Sequence, residues 1–186
     1  MDSTPDERPD RDLDAHLDAV RAAPRDEGRV ELIVRRPDRD QRELLDEAVL
    51  DPHQGVVGDH WRARGNRHTP DGAADPADQV TIMSTRVLAA IEPDPSRWPI
   101  AGDQLYVDFD LAEESLPAGT RLAIGDALVE VSAKPHTGCA KFSARFGSDA
   151  LRWINSPVGR SLRMRGINVR VVRAGTVRVG DTVRRG

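Results

Sequence analysis

Four glycine–aspartate pairs punctuate this chain: Gly58-Asp59, Gly102-Asp103, Gly125-Asp126 and Gly180-Asp181. Glycine tolerates the positive φ angles of tight turns and aspartate bonds nearby backbone, so each pair predicts an abrupt reversal. Arg121–Ile124 and Ala127–Val131 flank one pair, and Thr176–Val179 and Thr182-Val183 flank another. Short strands joined by such turns make an antiparallel β-barrel or sandwich. The fold class expected is therefore mainly β, with a few short helices.

The other segments fit that frame unevenly. Val30–Val34 and Gln79–Met83 read as strands, and Asp103–Leu111 alternates polar and apolar residues like a half-buried strand. Gln41–Leu50 and Thr85–Ile91 suit either a helical turn or a strand. Glu92–Pro99 contains Pro93, Pro95 and Pro99, which predicts an irregular connection. Ser148–Asn155 reads as a helix capped by Ser148, with Leu151 and Ile154 inward and Pro157-Val158-Gly159 as its stop. Residues 62–78 form a polar loop of about 17 residues, a length that is usually functional or disordered. His60 and His68 sit at its ends, and two histidines without a third ligand do not make a metal site.

Charged residues make up 31% of the chain and hydrophobic ones 38%, so part of it is expected to lie outside the core. Residues 1–28 fit that role as an acidic tail or a loosely docked helix, with Leu13, Leu17 and Val20 at helical spacing before Pro24. The barrel domain is then residues 29–186. No apolar run reaches about 18 residues, and the acidic N-terminus lacks the features of a secretion signal. A single cysteine excludes an intrachain disulfide, and a cytoplasmic location is expected.

That cysteine lies in Lys134-Pro135-His136-Thr137-Gly138-Cys139-Ala140-Lys141, which holds both lysines of the chain. Neighbouring cations favour a thiolate, whereas burial would make Cys139 a small hydrophobe, and residue type leaves both open. Residues 134–173 carry nine basic side chains against Asp149 alone, so this segment is +8 while the remainder is −12. Such asymmetry predicts an anion-binding surface near the cysteine. Nucleic acid is disfavoured as the anion, since aromatic content is 4% and the remainder is acidic.

The order of the Gly-Asp pairs, with the lone Cys139 following a strand and Gly175–Asp181 closing the pattern, resembles the MOSC domain named after molybdenum-cofactor sulfurase. The resemblance spans roughly residues 29–184. It implies a β-barrel whose cysteine carries sulfur or ligates molybdenum, and an anionic cofactor of the molybdopterin type. Sulfur transfer or reduction of N-hydroxylated compounds is the implied chemistry, with a separate redox or sulfur-donor protein as partner. A non-catalytic barrel that binds a phosphorylated ligand or a partner protein, with Cys139 structural, is the alternative. Many family members have an Arg and a Pro close before the cysteine; here Lys134-Pro135 stands further off and Gly138 directly precedes the thiol.

Carried onto this chain, Cys139 is the thiolate and metal ligand, and His136 can stabilise it or shuttle a proton near neutral pH. Lys134, Lys141, Arg145 and Arg160 are the candidate cofactor-binding cations. Lys141 and Arg145 are four apart, as are Phe142 and Phe146, so a helix would put the bases on one face and core aromatics on the next. Arg163 and Arg165 alternate with Leu162 and Met164 and read as the outer face of a strand. Arg170 and Arg173 are expected on solvated strand faces.

Overall fold

A computed structural model describes residues 12–186 of the chain; the tail expectation for residues 1–11 lies outside them. The strands are β1 (Glu27–Arg35), β2 (Glu43–Leu45), β3 (Glu47–Asp51), β4 (Gly55–Val56), β5 (Val80–Ser84), β6 (Leu105–Asp108), β7 (Arg121–Ile124), β8 (Ala127–Val131), β9 (Ile167–Arg173), β10 (Gly175–Arg178) and β11 (Thr182–Arg185). Seven of them close into a barrel in the order β11-β7-β8-β9-β5-β6-β1, with β1 returning to β11. β2 adds to the far half of β1, and β10, β3 and β4 form a small second sheet.

All four Gly-Asp pairs turn the chain as expected, with φ of 83° at Gly58, 94° at Gly102, 52° at Gly125 and 92° at Gly180. Two join strands: Gly125-Asp126 links β7 to β8, and Gly180-Asp181 links β10 to β11. A β-carbon on Gly125 would stand 2.3 Å from the Asp181 carboxylate, so space as well as φ demands glycine there.

The barrel is not wholly antiparallel, because β5 and β6 pair in parallel. A parallel pair needs a crossover. α3 (Thr85–Ile91) and a 3-10 helix over Pro95–Ala101 supply it. Thr85–Ile91 is thus helical, Gln41–Leu50 holds β2 and β3, and the proline-rich connection is ordered as a 3-10 helix. Asp94 caps that turn by accepting from the Ser96 amide at 3.0 Å.

Alternation along the strands divides two cores. Ile33, Leu105 and Val107 point into the barrel, while Val34, Tyr106 and Met83 pack outward under the helices. The segment expected to be half-buried is therefore covered on both faces, with Asp103 through Val107 all buried. The outer layer comprises α3, α4 (Ala140–Phe146), α5 (Ser148–Ile154) and the N-terminal arm. In that arm, a 3-10 turn over Leu13–His16 runs into α1 (Leu17–Arg21). Leu13 and Val20 are buried, and Trp153 Nε1 donates to Asp14 at 3.1 Å.

Phe142 and Phe146 do lie on the core face of α4, with ring centroids 4.8 Å apart. Burying each such side chain is worth about 1.5–3 kcal/mol. Gly147, not Ser148, occupies the cap position of α5, at φ 95°. Pro157-Val158-Gly159 begins rather than ends a helix. Pro157 is the first residue of α6 (Pro157–Ser161), and the Ser156 hydroxyl accepts from the Gly159 amide at 3.0 Å. Proline suits a first turn, where its missing N–H has no partner to lose. Residues 162–166 are then a turn with Arg163 at φ 47°, so the expected strand there does not form.

Candidate functional site

Between β8 and α4 the chain crosses the outside of the barrel as a strap, residues 132–138. It is anchored at three points. At its start, Asn168 Nδ2 donates to the Lys134 carbonyl at 3.1 Å, and the Lys134 amide donates to Ser132 Oγ at 3.0 Å. At its middle, His136 Nε2 lies 2.9 Å from Asp103 Oδ1. At its end, Asn155 accepts from the Gly138 amide at 3.1 Å and donates to the Gly138 carbonyl at 3.3 Å. A β-carbon on Gly138 would stand 2.7 Å from Leu151 and 2.8 Å from Ile154. Glycine before the thiol thus seats the strap on α5.

Cys139 follows as the cap residue of α4 and is exposed. It opens onto a cleft of about 410 Å³, also lined by His136, Lys141 and Arg145. Burial pushes its thiol up, but the amides of Phe142 and Lys141 and the charges of Arg165 and Arg145 outweigh that, leaving the pKa lowered. The sulfur makes no hydrogen bond of full geometry to the helix amides, so this influence is electrostatic.

Asp103 is the buried hub beneath the cleft. Its carboxylate, wholly shielded from solvent, takes His136 on one oxygen and Arg165 Nη1 at 2.6 Å on the other. Arg165 also donates to the Ala101 carbonyl at 3.2 Å and lies 5.1 Å from the centre of the Phe142 ring. The expected outer-face strand position of Arg165 is thus corrected: it is buried. Burial alone would raise the Asp103 carboxyl, yet Arg165 and His136 hold it far below the usual carboxylate range. Burial and Arg165 together push His136 down, more than Asp103 raises it. His136 is therefore neutral near pH 7, with its proton on Nε2 toward Asp103 and Nδ1 left as an acceptor.

Asp59 is a second buried anchor. It accepts Arg36 Nε at 2.9 Å and Nη2 at 3.0 Å, and the Trp61 amide at 2.9 Å. Arg36 in turn donates to the Gly102 carbonyl at 3.0 Å, tying one Gly-Asp turn to the other. Arg42 lies nearby: a β-carbon on Gly102 would be 3.4 Å from both the Arg42 and the Arg145 guanidinium groups. Burial, Arg145 and Arg36 all lower the Arg42 pKa, and its buried Nε has no hydrogen-bond partner among the described residues.

The structure thus brings His136, Cys139, Lys141 and Arg145 to one cleft, along with Lys134. Lys134 is already engaged there, paired with Asp75 at 2.9 Å and with Asp78. Arg160 is not in the cleft; it lines a separate cavity behind the strap. The sequence reading missed Arg36, Arg42 and Arg64, which bring cations from the N-terminal half of the chain. It also missed the two aspartates, although both had been singled out as turn residues. Among the described residues, no three His, Cys, Asp or Glu side chains are grouped to hold a metal, and no helix is long and apolar enough to cross a membrane.

Comparison with solved structures gives the same barrel in several bacterial proteins. The YuaD protein of Bacillus subtilis superposes with a TM-score of 0.58 at 18% identity, over 84% of this chain and 94% of that one. YiiM of Geobacillus stearothermophilus gives 0.59 at 14% identity, over 86% of this chain and 75% of that one. YiiM of Escherichia coli gives 0.55 at 20% identity, over 85% and 69%. A sequence search among curated proteins finds no match. Residues 74–184 match the MOSC domain, more than half of the chain, and they hold every strand from β5 onward together with the strap and Cys139. The chain belongs to the MOSC domain family.

Proposed function

We propose that the cleft binds a molybdopterin-type cofactor through Cys139, for sulfur transfer or for reduction of N-hydroxylated compounds. The observation that carries this reading is the buried, unpartnered Nε of Arg42 beside an exposed thiol of lowered pKa. Leaving such a donor unsatisfied costs about 1–3 kcal/mol, and the like charges around it add to the cost. A phosphorylated ligand supplies both the acceptor and the missing negative charge.

The donor set fits the group. A thiolate suits a soft metal, and guanidinium groups suit a phosphate. With no cluster of His, Cys, Asp and Glu among the described residues, a metal would arrive with its pterin and take Cys139 as its protein ligand. When bound, the cofactor would supply two-electron redox chemistry or a site for transferable sulfur.

The chain's own residues do the rest. Arg42, Lys141 and Arg145 hold the anionic end of the ligand. His136 accepts and returns a proton at Nδ1 while Asp103 and Arg165 fix its ring. One cysteine cannot ligate an iron–sulfur cluster, and this reading takes the electron or sulfur donor to be a separate protein. The exposure of Cys139 favours this reading over the alternative in which the residue is structural.

Protein made in a host that loads other molybdenum enzymes tests the reading, by metal analysis and intact-mass spectrometry. Stoichiometric molybdenum, or a sulfur-sized mass increment on Cys139, is expected in the wild type and is lost in Cys139→Ser. Wild-type protein that carries neither overturns it.

A further inference from the structure

Behind the strap lies a second cavity of about 350 Å³, a size suited to a small molecule. We infer that it is a binding site for a small organic carboxylate with an apolar body, distinct from the Cys139 cleft. Lys134 to Thr137 form the common wall, lining both cavities, whereas Cys139 lines only the cleft.

Two features assign the ligand. The first is charge: Arg160 from α6 and Arg163 from the following turn both line this cavity. Arg160 is exposed, and its guanidinium has no ion-pair or hydrogen-bond partner among the described residues. Arg163 is half-buried, and the Leu116 carbonyl, 2.5 Å from Nη1, is the one acceptor of its guanidinium among them. Burial lowers its pKa, and Glu113 on the rim is not within ion-pair distance. A carboxylate accepts from guanidinium groups and relieves the uncompensated charge.

The second feature is the apolar part of the wall. Pro135, Ile154 and Ile167 line it. Its polar neighbours are already engaged: Asn155 holds Gly138, and Asn168 holds Lys134. Bare inorganic phosphate would leave that wall wet, whereas a ring or short alkyl chain would cover it.

Benzoate is the probe, titrated into the full chain and followed by amide NMR. Saturable shifts are expected at Ser132, Ile154, Asn155 and Ile167. Arg160→Gln, an exposed change that leaves the fold alone, should weaken benzoate about tenfold, the scale of one charge-assisted contact. Benzyl alcohol and inorganic phosphate should each bind at least about tenfold more weakly than benzoate, for the same reason. Arg145→Gln in the cleft should leave benzoate affinity as it was. Shifts centred on Cys139, no saturation at millimolar benzoate, or equal affinity in Arg160→Gln would overturn the assignment, and so would phosphate or benzyl alcohol matching benzoate. None of these outcomes depends on whether the cleft takes up molybdenum.

Discussion

Asp126 and Asp103 follow glycines of the same left-handed conformation, yet one is a surface turn and the other a buried hub. Asp126 is 71% exposed and reaches Arg178 only at 3.7 Å. The Asp103 side chain is 0% exposed, and Asp59 matches it. The difference is whether another segment delivers a buried arginine to hydrogen-bonding distance. Arg165 comes to Asp103 from the turn after α6, and Arg36 comes to Asp59 from the residue after β1. A Gly-Asp pair therefore specifies a reversal, and the surrounding fold decides whether the carboxylate is solvated or becomes an anchor. In this protein the two anchored pairs lie beneath the cleft and the two strand-linking pairs do not.

Removing the carboxylates gives the largest contrast. Asp103→Ala leaves Arg165 buried without its partner, which should cost about 3–5 kcal/mol in urea denaturation. Asp126→Ala should stay within about 0.5 kcal/mol, as expected for an exposed pair. Equal losses at the two positions would show that burial does not separate the pairs.

Acid gives a smaller and more selective contrast. The His136 pKa is lowered in the folded protein, so the unfolded chain binds more protons as pH falls below about 6.5. Stability should then decline from that point downward, and His136→Gln should flatten the decline between about pH 6.5 and 4.5. Asp103, whose pKa is also lowered, contributes only as pH drops below about 4. A wild-type profile already flat between pH 6.5 and 4.5 would mean that protonating His136 costs the fold nothing.

A small effect belongs to Lys134, whose partly exposed ion pairs tie the strap to Asp75 and Asp78. Its side chain is 36% exposed, and those of Asp75 and Asp78 are 28% and 22%. Lys134→Gln should cost no more than about 1 kcal/mol of thermal stability. It should behave like the exposed Asp126 despite its place beside the site. A loss comparable with that of Asp103→Ala would move Lys134 into the buried class.

The local turn chemistry, the strand-rich pattern and the lone cysteine between basic residues were legible in the sequence because each is written over a few adjacent positions. Phe142 and Phe146 were legible by their helical spacing. Arg165 was not, since alternation with Leu162 and Met164 imitates a strand, and its partner Asp103 lies far away along the chain. Arg36 and Arg42 were hidden for a different reason. They stand among Asp38, Asp40 and Glu43, so counting charge along the chain cancels them, although the fold turns their guanidinium groups toward the cleft. Parallel pairing of β5 with β6 also escaped, because strand direction depends on the crossover and not on either strand's composition.

The barrel's seam has a consequence for how the chain acquires its shape. β1 closes onto β11, pairing Glu27 with Arg184 and Arg29 with Thr182, so the strand made early waits for one made late. Contacts this distant in sequence slow folding, because loop entropy is lost before the pairing compensates for it. During synthesis, the first part of β1 stays an open edge on that side until residues 182–184 have emerged. A ribosome paused before residue 182 should therefore carry an unsealed barrel, sensitive to protease, and release of the last strand should confer resistance in a single step.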